Sequence, residues 1–401
     1  MSAPARKSTL PLLDTLDLGG KRVFVRVDFN VPMHEGRVVD DSRIRAALPT
    51  LEHCLNQGAK LIIASHLGRP KGIDPNLSLA PAGEVLAGLL RREIILADEP
   101  IGDGVTKLVR DLREGQILML ENVRFQEGEE KNDETLSRQF AALADVWVND
   151  AFGAAHRAHA STSGMGQHVK VKAAGFLVAA EVEALTRLLA AQKVGYVTVL
   201  GGAKVSDKIA VIEKMLGKVE SLLIGGAMAY TFLAAMGKST GSSRIETAHV
   251  ETARSLIATA LKRGVDLVLP VDHGCAAKFD AASPRVNVDS PDMPTELLGL
   301  DIGPRTLALF ERKIATAKTV FWNGPMGVFE WSAYATGTFG VARAIAGSNA
   351  FSVVGGGDSV RAVNEAGVAS SISHLSTGGG ASLEFVEGRE MPGLYALGWR
   401  R

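Results

Sequence analysis

Eight short apolar runs along the chain have the composition of buried strands, and each ends in a tip of polar residues or glycine. In the first half the tips carry charge and imidazole. Val23-Phe24-Val25 leads into Arg26 and Asp28, Leu61-Ile62-Ile63 into His66 and Arg69, Ile117 to Leu120 into Arg124, and Val146 to Val148 into His156 and Arg157. In the second half the tips are glycine: Val197 to Leu200 leads into Gly201-Gly202, Leu222 to Ile224 into Gly225-Gly226, Val320 to Trp322 into Gly324, and Val353-Val354 into Gly355-Gly356-Gly357. Between the runs lie segments of helical period, such as Ile44, Leu48, Leu51 and Leu55, or Val85, Leu86, Leu89 and Leu90 after Pro81. This alternation predicts an α/β fold with mostly parallel sheets covered on both faces. Such sheets bind ligands beyond the carboxyl ends of their strands, so the tips are the candidate site. Charged tips suit a small anion, glycine tips a nucleotide.

A helix pattern over Glu181 to Gln192, with Val182, Leu185, Leu188 and Leu189 at helical spacing, separates the two series and reads as the connection between two domains. No flexible Gly/Ser or Pro linker accompanies it, so the domains should be stiffly joined and move as hinged bodies. At 401 residues the chain exceeds one ordinary hydrophobic core, which fits two balanced halves.

Composition narrows the function. With 44 basic and 44 acidic residues, a general electrostatic hold on nucleic acid or an anionic membrane is not expected, and any positive site must be local. Cys54 and Cys275 sit in no C-x-x-C or zinc spacing and read as reduced thiols, pointing to a cytoplasmic location. Met1 to Leu18 lacks the apolar core of a secretory signal. The longest uncharged stretch, Ser221 to Gly237, falls short of the roughly twenty residues needed to span a membrane, and Gly225-Gly226 splits it into a strand and a helix.

In the glycine half, Gly201-Gly202-Ala203-Lys204-Val205-Ser206-Asp207-Lys208 joins a strand to a helix pattern with Ile209, Ile212 and Leu216. Glycine lets backbone approach a phosphate, a helix start offers free N–H groups, and Lys208 could reach a terminal phosphate. A plain strand-to-helix turn explains the glycines but not the two lysines. Gly355-Gly356-Gly357-Asp358-Ser359 is a second such turn; Asp358 and Ser359 suit phosphate oxygens and Mg²⁺, an ordinary helix N-cap also explains them, and the two roles are compatible. Gly237-Lys238-Ser239 is rejected as a P-loop because Phe232 stands where the opening glycine belongs, and no G-x-G-x-x-G follows any strand.

In the charged half, Arg26, Asp28 and Asn30 should face one way from an extended segment closed by Pro32. Single arginines are commonly surface residues, but four at equivalent strand ends point to a shared pocket for a phosphorylated or carboxylated small molecule. His156 and His159, with Arg157 between them and no neighbouring carboxylate or thiolate, do not suit zinc.

Arg26 to Pro32, Ser65 to Pro70, Leu120 to Phe125, Asp150 to His159, Gly201 to Lys208, Trp322 to Glu330, Gly355 to Ser359 and Ser376 to Glu384 together resemble the phosphoglycerate kinase family, in that family's order and over nearly the whole chain. The resemblance implies two Rossmann-like parallel-sheet domains facing across a cleft and joined by the central helix. The expected boundaries are 1–180 for a 3-phosphoglycerate domain, 181–385 for a Mg-nucleotide domain, and 386–401 for a tail returning to the first. It implies reversible phosphoryl transfer from 1,3-bisphosphoglycerate to ADP, giving 3-phosphoglycerate and ATP, by a cytoplasmic monomer with Mg²⁺ and with no nucleic-acid or membrane partner. The glycerate ligands would be Asp28, Phe29, Asn30, Arg43, His66, Leu67, Gly68, Arg69, Arg124 and Arg157, of which only the resemblance selects Arg43. Lys208, Gly299, Glu330, Gly356, Gly357, Asp358 and Ser359 would bind nucleotide, Asp358 the metal, and Arg43, Lys204 and Lys208 would supply catalytic charge. Ser359 stands where the family more often has Thr and Phe385 where it has Leu, and the stretch Val271 to Phe279 departs from the family's pattern. Carboxylate and diphosphate oxygens are already ionised at neutral pH, so no general base is expected. Two rivals remain open: a nucleotide-dependent dehydrogenase, which NADH binding would reveal, and a non-catalytic metabolite sensor, which a coupled assay would separate.

Overall fold

The computed structural model describes residues 10–401. The reading of the N-terminal segment rests partly on residues 1–9, which lie outside the described residues. The chain divides into two compact units, one comprising residues up to Glu183 together with Arg389–Arg401, the other Ala184–Gly388. The first division falls inside the helix Phe176–Ala190, which begins five residues before the apolar periodicity suggested. Its start is set from a distance: Asp150 Oδ1 accepts the free N–H groups of Leu177 (3.0 Å) and Val178 (3.2 Å). Burial pushes the Asp150 carboxyl up to about 6, against the pull of those hydrogen bonds.

The first unit holds strands β1 (Arg22–Arg26), β4 (Lys60–Ala64), β5 (Ile95–Leu96), β6 (Ile117–Met119), β7 (Val146–Asn149) and β8 (Val171–Ala174), with a small hairpin β2 (Met33–His34) and β3 (Arg37–Val38). The six form one parallel sheet ordered β5-β6-β4-β1-β7-β8. Helices cover both faces of a parallel sheet, so a central strand has no wet side and reads as an unbroken apolar run. Val23, Phe24 and Val25 are accordingly all buried, as are Leu61, Ile62 and Ile63. Each such side chain contributes about 1.5–3 kcal/mol by leaving water.

The second unit repeats the plan with β9 (Tyr196–Leu200), β10 (Ser221–Ile224), β11 (Asp266–Val268), β15 (Thr319–Asn323), β16 (Phe351–Gly355) and β17 (His374–Leu375), ordered β11-β10-β9-β15-β16-β17 and all parallel. From β9 the chain winds to one edge and from β15 to the other, so their tips adjoin at the switch point where such sheets bind ligands. The Ser221 to Gly237 stretch becomes β10 and the helix Met228–Ala235, and no helix among the described residues is long and apolar enough to cross a membrane. The Val271 to Phe279 stretch contains β12 (His273–Ala276), the middle strand of an antiparallel sheet with β13 (Val286–Val288) and β14 (Leu298–Ile302). Cys54 and Cys275 are buried free thiols, and burial pushes them up to about 12 and about 11.

Candidate active site

In the second unit the strand tips interlock through bare backbone. A Cβ on Gly201 would stand 2.1 Å from the Pro325 carbonyl oxygen, one on Gly324 2.3 Å from that of Gly201, and one on Gly226 2.5 Å from Gly202 N. These glycines are therefore required by packing. Gly202, Gly357, Gly379 and Gly380 differ, since a Cβ there would meet nothing within 4 Å. Their exposed backbone lines a hollow of about 350 Å³ together with Lys204, Lys208, Asn323 and Asp358. Gly356, at φ +89°, turns the chain into the helix Gly357–Glu365, whose first residues aim free N–H groups into this hollow.

Lys208 donates from Nζ to Asn323 Oδ1. Burial brings its ammonium down to about 8, only partly offset by Asp207, Asp358 and Glu387. Asn323 is the polar residue at the tip of β15; its Nδ2 is buried without a hydrogen-bond partner. As the polar residue at a strand tip it carries the same sequence signal as the charged tips of the first half, one position before Gly324. Ser359 is buried, and its hydroxyl accepts from Gly324 N–H (2.7 Å), so it braces the β15 tip as well as opening the helix. Lys204 is exposed. Asp358 is also exposed and makes no ion pair with a described residue; a free carboxylate beside bare backbone fits Mg²⁺, which takes few protein ligands and completes its shell with phosphate oxygens and water. No group of three or more His, Cys, Asp or Glu side chains placed to hold a metal occurs among the described residues.

Adjoining the hollow, and sharing Gly202, Ala203, Pro325 and Asp358 with it, is a larger cavity of about 590 Å³. Gly299 and Glu330 both line it. A Cβ on Gly299 would stand 1.7 Å from Tyr230 Oη, so glycine is required there for the tyrosine to close the wall. Glu330 is paired with Arg361 at 2.5 Å.

In the first unit the charged tips converge, but not all alike. Arg43 from the helix Ser42–Asn56 meets Asp28 at 2.6 Å, and Asn30 Oδ1 accepts from Gly68 N–H at 2.9 Å. Gly68, at φ +62°, turns its carbonyl to Arg124 Nη1 (2.6 Å). Phe29 and Leu67 are buried, and their N–H groups are held by Ser65 Oγ and Asn122 Oδ1. Arg69 is exposed, Arg157 half-buried with Nε donating to His156 Nε2 (3.0 Å), and both lie close enough to Arg124 for their charges to lower its pKa, although burial lowers it more.

Arg26 departs from the expectation that it faces the site beside Asp28 and Asn30. It is fully buried; Nη1 donates to Val27 O, Nε to Ser161 Oγ (2.7 Å), and Nη2 lies 3.2 Å from His66 Nδ1. A guanidinium can only donate, so His66 accepts on Nδ1 and is neutral. Burial first, then Arg26, Arg124, His159 and Arg43, hold that imidazole well below its ordinary range. The polar run therefore splits: at the end of β1 one arginine supports the floor, and residues two and four further on face outward. Beneath it lies Glu129, fully buried, accepting from Ser161 Oγ (2.6 Å) and N–H (3.0 Å) and 4.0 Å from Arg26. Glu129 sits in a loop with no periodic pattern, and nothing in the sequence marked it.

A glycine-built cradle with a lysine in one unit and an arginine cluster in the other are the marks of a two-domain α/β phosphotransferase. The family model for phosphoglycerate kinase matches residues 13–389. The phosphoglycerate kinase of Anaeromyxobacter sp. (strain K) is 57% identical over 391 residues, covering 96% of this chain and 99% of that one, and that of Clostridium botulinum (strain 657) is 46% identical over 389 residues, covering 96% and 98%. Among solved structures, the Coxiella burnetii enzyme superposes with a TM-score of 0.88 at 38% identity (97% and 99% covered), and the Pyrococcus horikoshii enzyme with 0.83 at 33% (97% and 98%). The chain belongs to the phosphoglycerate kinase family.

Proposed function

We propose that the chain transfers a phosphoryl group reversibly between 1,3-bisphosphoglycerate and ADP, giving 3-phosphoglycerate and ATP. The observation that carries this reading is the presence together of a half-buried, still cationic Lys208 and an unpaired Asp358 in a hollow walled by bare backbone. Arg124, Arg157, Arg69 and Arg43 would hold the phosphate and carboxylate of the glycerate ligand, and Asp28 and Asn30 its hydroxyl. Asp358 and the nucleotide phosphates would hold Mg²⁺, which when bound neutralises charge on the transferring group.

Nucleophile and leaving group are both ionised at neutral pH, so the site has to place them in line and surround the phosphoryl with positive charge. Lys208 and Arg43 supply that charge, with Lys204 able to join from its exposed position. No proton has to move: His66 is neutral, and burial brings His159 down to about 3, so neither is a proton donor at pH 7. Acceptor and donor ligands belong to different units, so transfer waits on hinge closure, which also keeps water from the acyl phosphate. A coupled assay with 3-phosphoglycerate, ATP and Mg²⁺ tests the proposal; saturable turnover is expected, and its absence refutes it.

A further inference from the structure

The 590 Å³ cavity carries four charged side chains in its lining; two of them are paired, and a third lies at the end shared with the phosphate hollow. The Asp301 carboxylate accepts from Arg285 Nη1 (3.0 Å) and from the N–H groups of Gly337 (3.0 Å) and Ile302 (2.9 Å). Glu330 is held by Arg361. Asp358 stands at the end shared with the phosphate hollow. Arg244 is the fourth and the sole cation. It is exposed, and it makes no hydrogen bond or ion pair with a described residue. The segment that carries it is held: Ser242 N–H donates to Leu297 O (2.9 Å), and Ser243 Oγ accepts from Gly299 N–H (3.0 Å), pinning the two residues before it against the wall that Gly299 and Tyr230 close.

With the phosphates at the Asp358 end, this wall is left for the base. Much of what surrounds it is glycine or apolar, so the uncommitted guanidinium is the strongest hydrogen-bonding group there, and it can only donate. A 6-oxopurine presents two neighbouring acceptors, N7 and O6, which match the arginine fork; adenine presents N7 beside an N6 amino donor that opposes it. We propose that Arg244 is a specificity-determining residue of the nucleotide site, favouring 6-oxopurine nucleoside diphosphates such as GDP and IDP relative to ADP. This rests on the phosphoryl-transfer reading above.

The test compares kcat/KM for ADP, GDP and IDP in the parent, Arg244→Leu and Arg244→Lys proteins. In Arg244→Leu the GDP:ADP and IDP:ADP ratios should each fall by about tenfold, within the lower half of the range for a bidentate base contact, with the change in KM and not in kcat. Lysine has no planar fork, so Arg244→Lys should fall between. IDP isolates the O6/N7 edge because it lacks the 2-amino group. Ratios unchanged within about twofold, or equal losses for ADP and GDP as stacking on any base would give, overturn the proposal. Both of those outcomes require turnover with ADP, whereas no turnover with any nucleotide in the parent defeats the functional reading itself.

Discussion

If Lys208 holds a nucleotide phosphate as proposed, burial of its ammonium should make nucleotide binding weaken as pH rises. Burial lowers its pKa from the ordinary 10.5 to about 8. If the phosphate is held by the ammonium form only, apparent affinity scales with the charged fraction. That fraction is about nine-tenths at pH 7 and about one-tenth at pH 9, so nucleotide should bind about tenfold more weakly at pH 9, a loss of about 1.4 kcal/mol. Phosphate ionisation does not mimic this, because a terminal phosphate is already doubly charged in that window. Calorimetry of ADP binding in two buffers of different ionisation heat at pH 9 should show uptake of close to one proton per nucleotide. The guanidinium introduced by Lys208→Arg cannot titrate in this range, so that variant should bind with flat pH dependence. The ligand-free protein gives an independent readout of opposite sense. Its unfolded chain keeps the lysine proton up to about 10.5, so the cost of the buried charge is fully present below pH 8 and is relieved as pH rises from 8 to 10.5. The urea midpoint should therefore rise through that window relative to Lys208→Met. Affinity constant from pH 7 to 9, with no proton uptake, would refute the assignment of Lys208 to the phosphate.

Three further outcomes follow from the same geometry. Arg43→Ala should lower turnover on the order of 10³-fold, as removal of charge-supplying arginines does in other phosphoryl transfers; steady-state rates within about tenfold of the parent would show that Arg43 is not part of the transition-state charge. Asp358→Asn should weaken Mg-ADP binding in calorimetry and leave 3-phosphoglycerate binding intact, because the arginine cluster belongs to the other unit; equal loss of both ligands would contradict the division of labour. Glu129→Ala leaves Arg26 buried without its counter-charge and Ser161 without its acceptor, and should cost about 3 kcal/mol in urea denaturation; a cost below about 1 kcal/mol would mean that Arg26 is neutralised elsewhere.

The sequence by itself determined the layered α/β plan, because strands buried on both faces have to be continuous apolar runs, and eight such runs became strands of the two parallel sheets. It also located the strand tips, since topology puts ligands there whatever the side chains are. Tertiary structure alone decided which tip residues face a ligand and which hold the floor. Arg26 and Arg124 look alike as arginines near strand ends, yet Arg26 is fully buried on Ser161 and Val27, while Arg124, also buried, is held by Glu130 and the Gly68 carbonyl beside Asn30. Gly201 and Gly202 are adjacent and identical, yet one is fixed by the Pro325 carbonyl against it and the other leaves open space beside it. Such distinctions depend on neighbours far away along the chain. Local pattern cannot record them, because burial and charge compensation are properties of the packed unit and not of any segment in it.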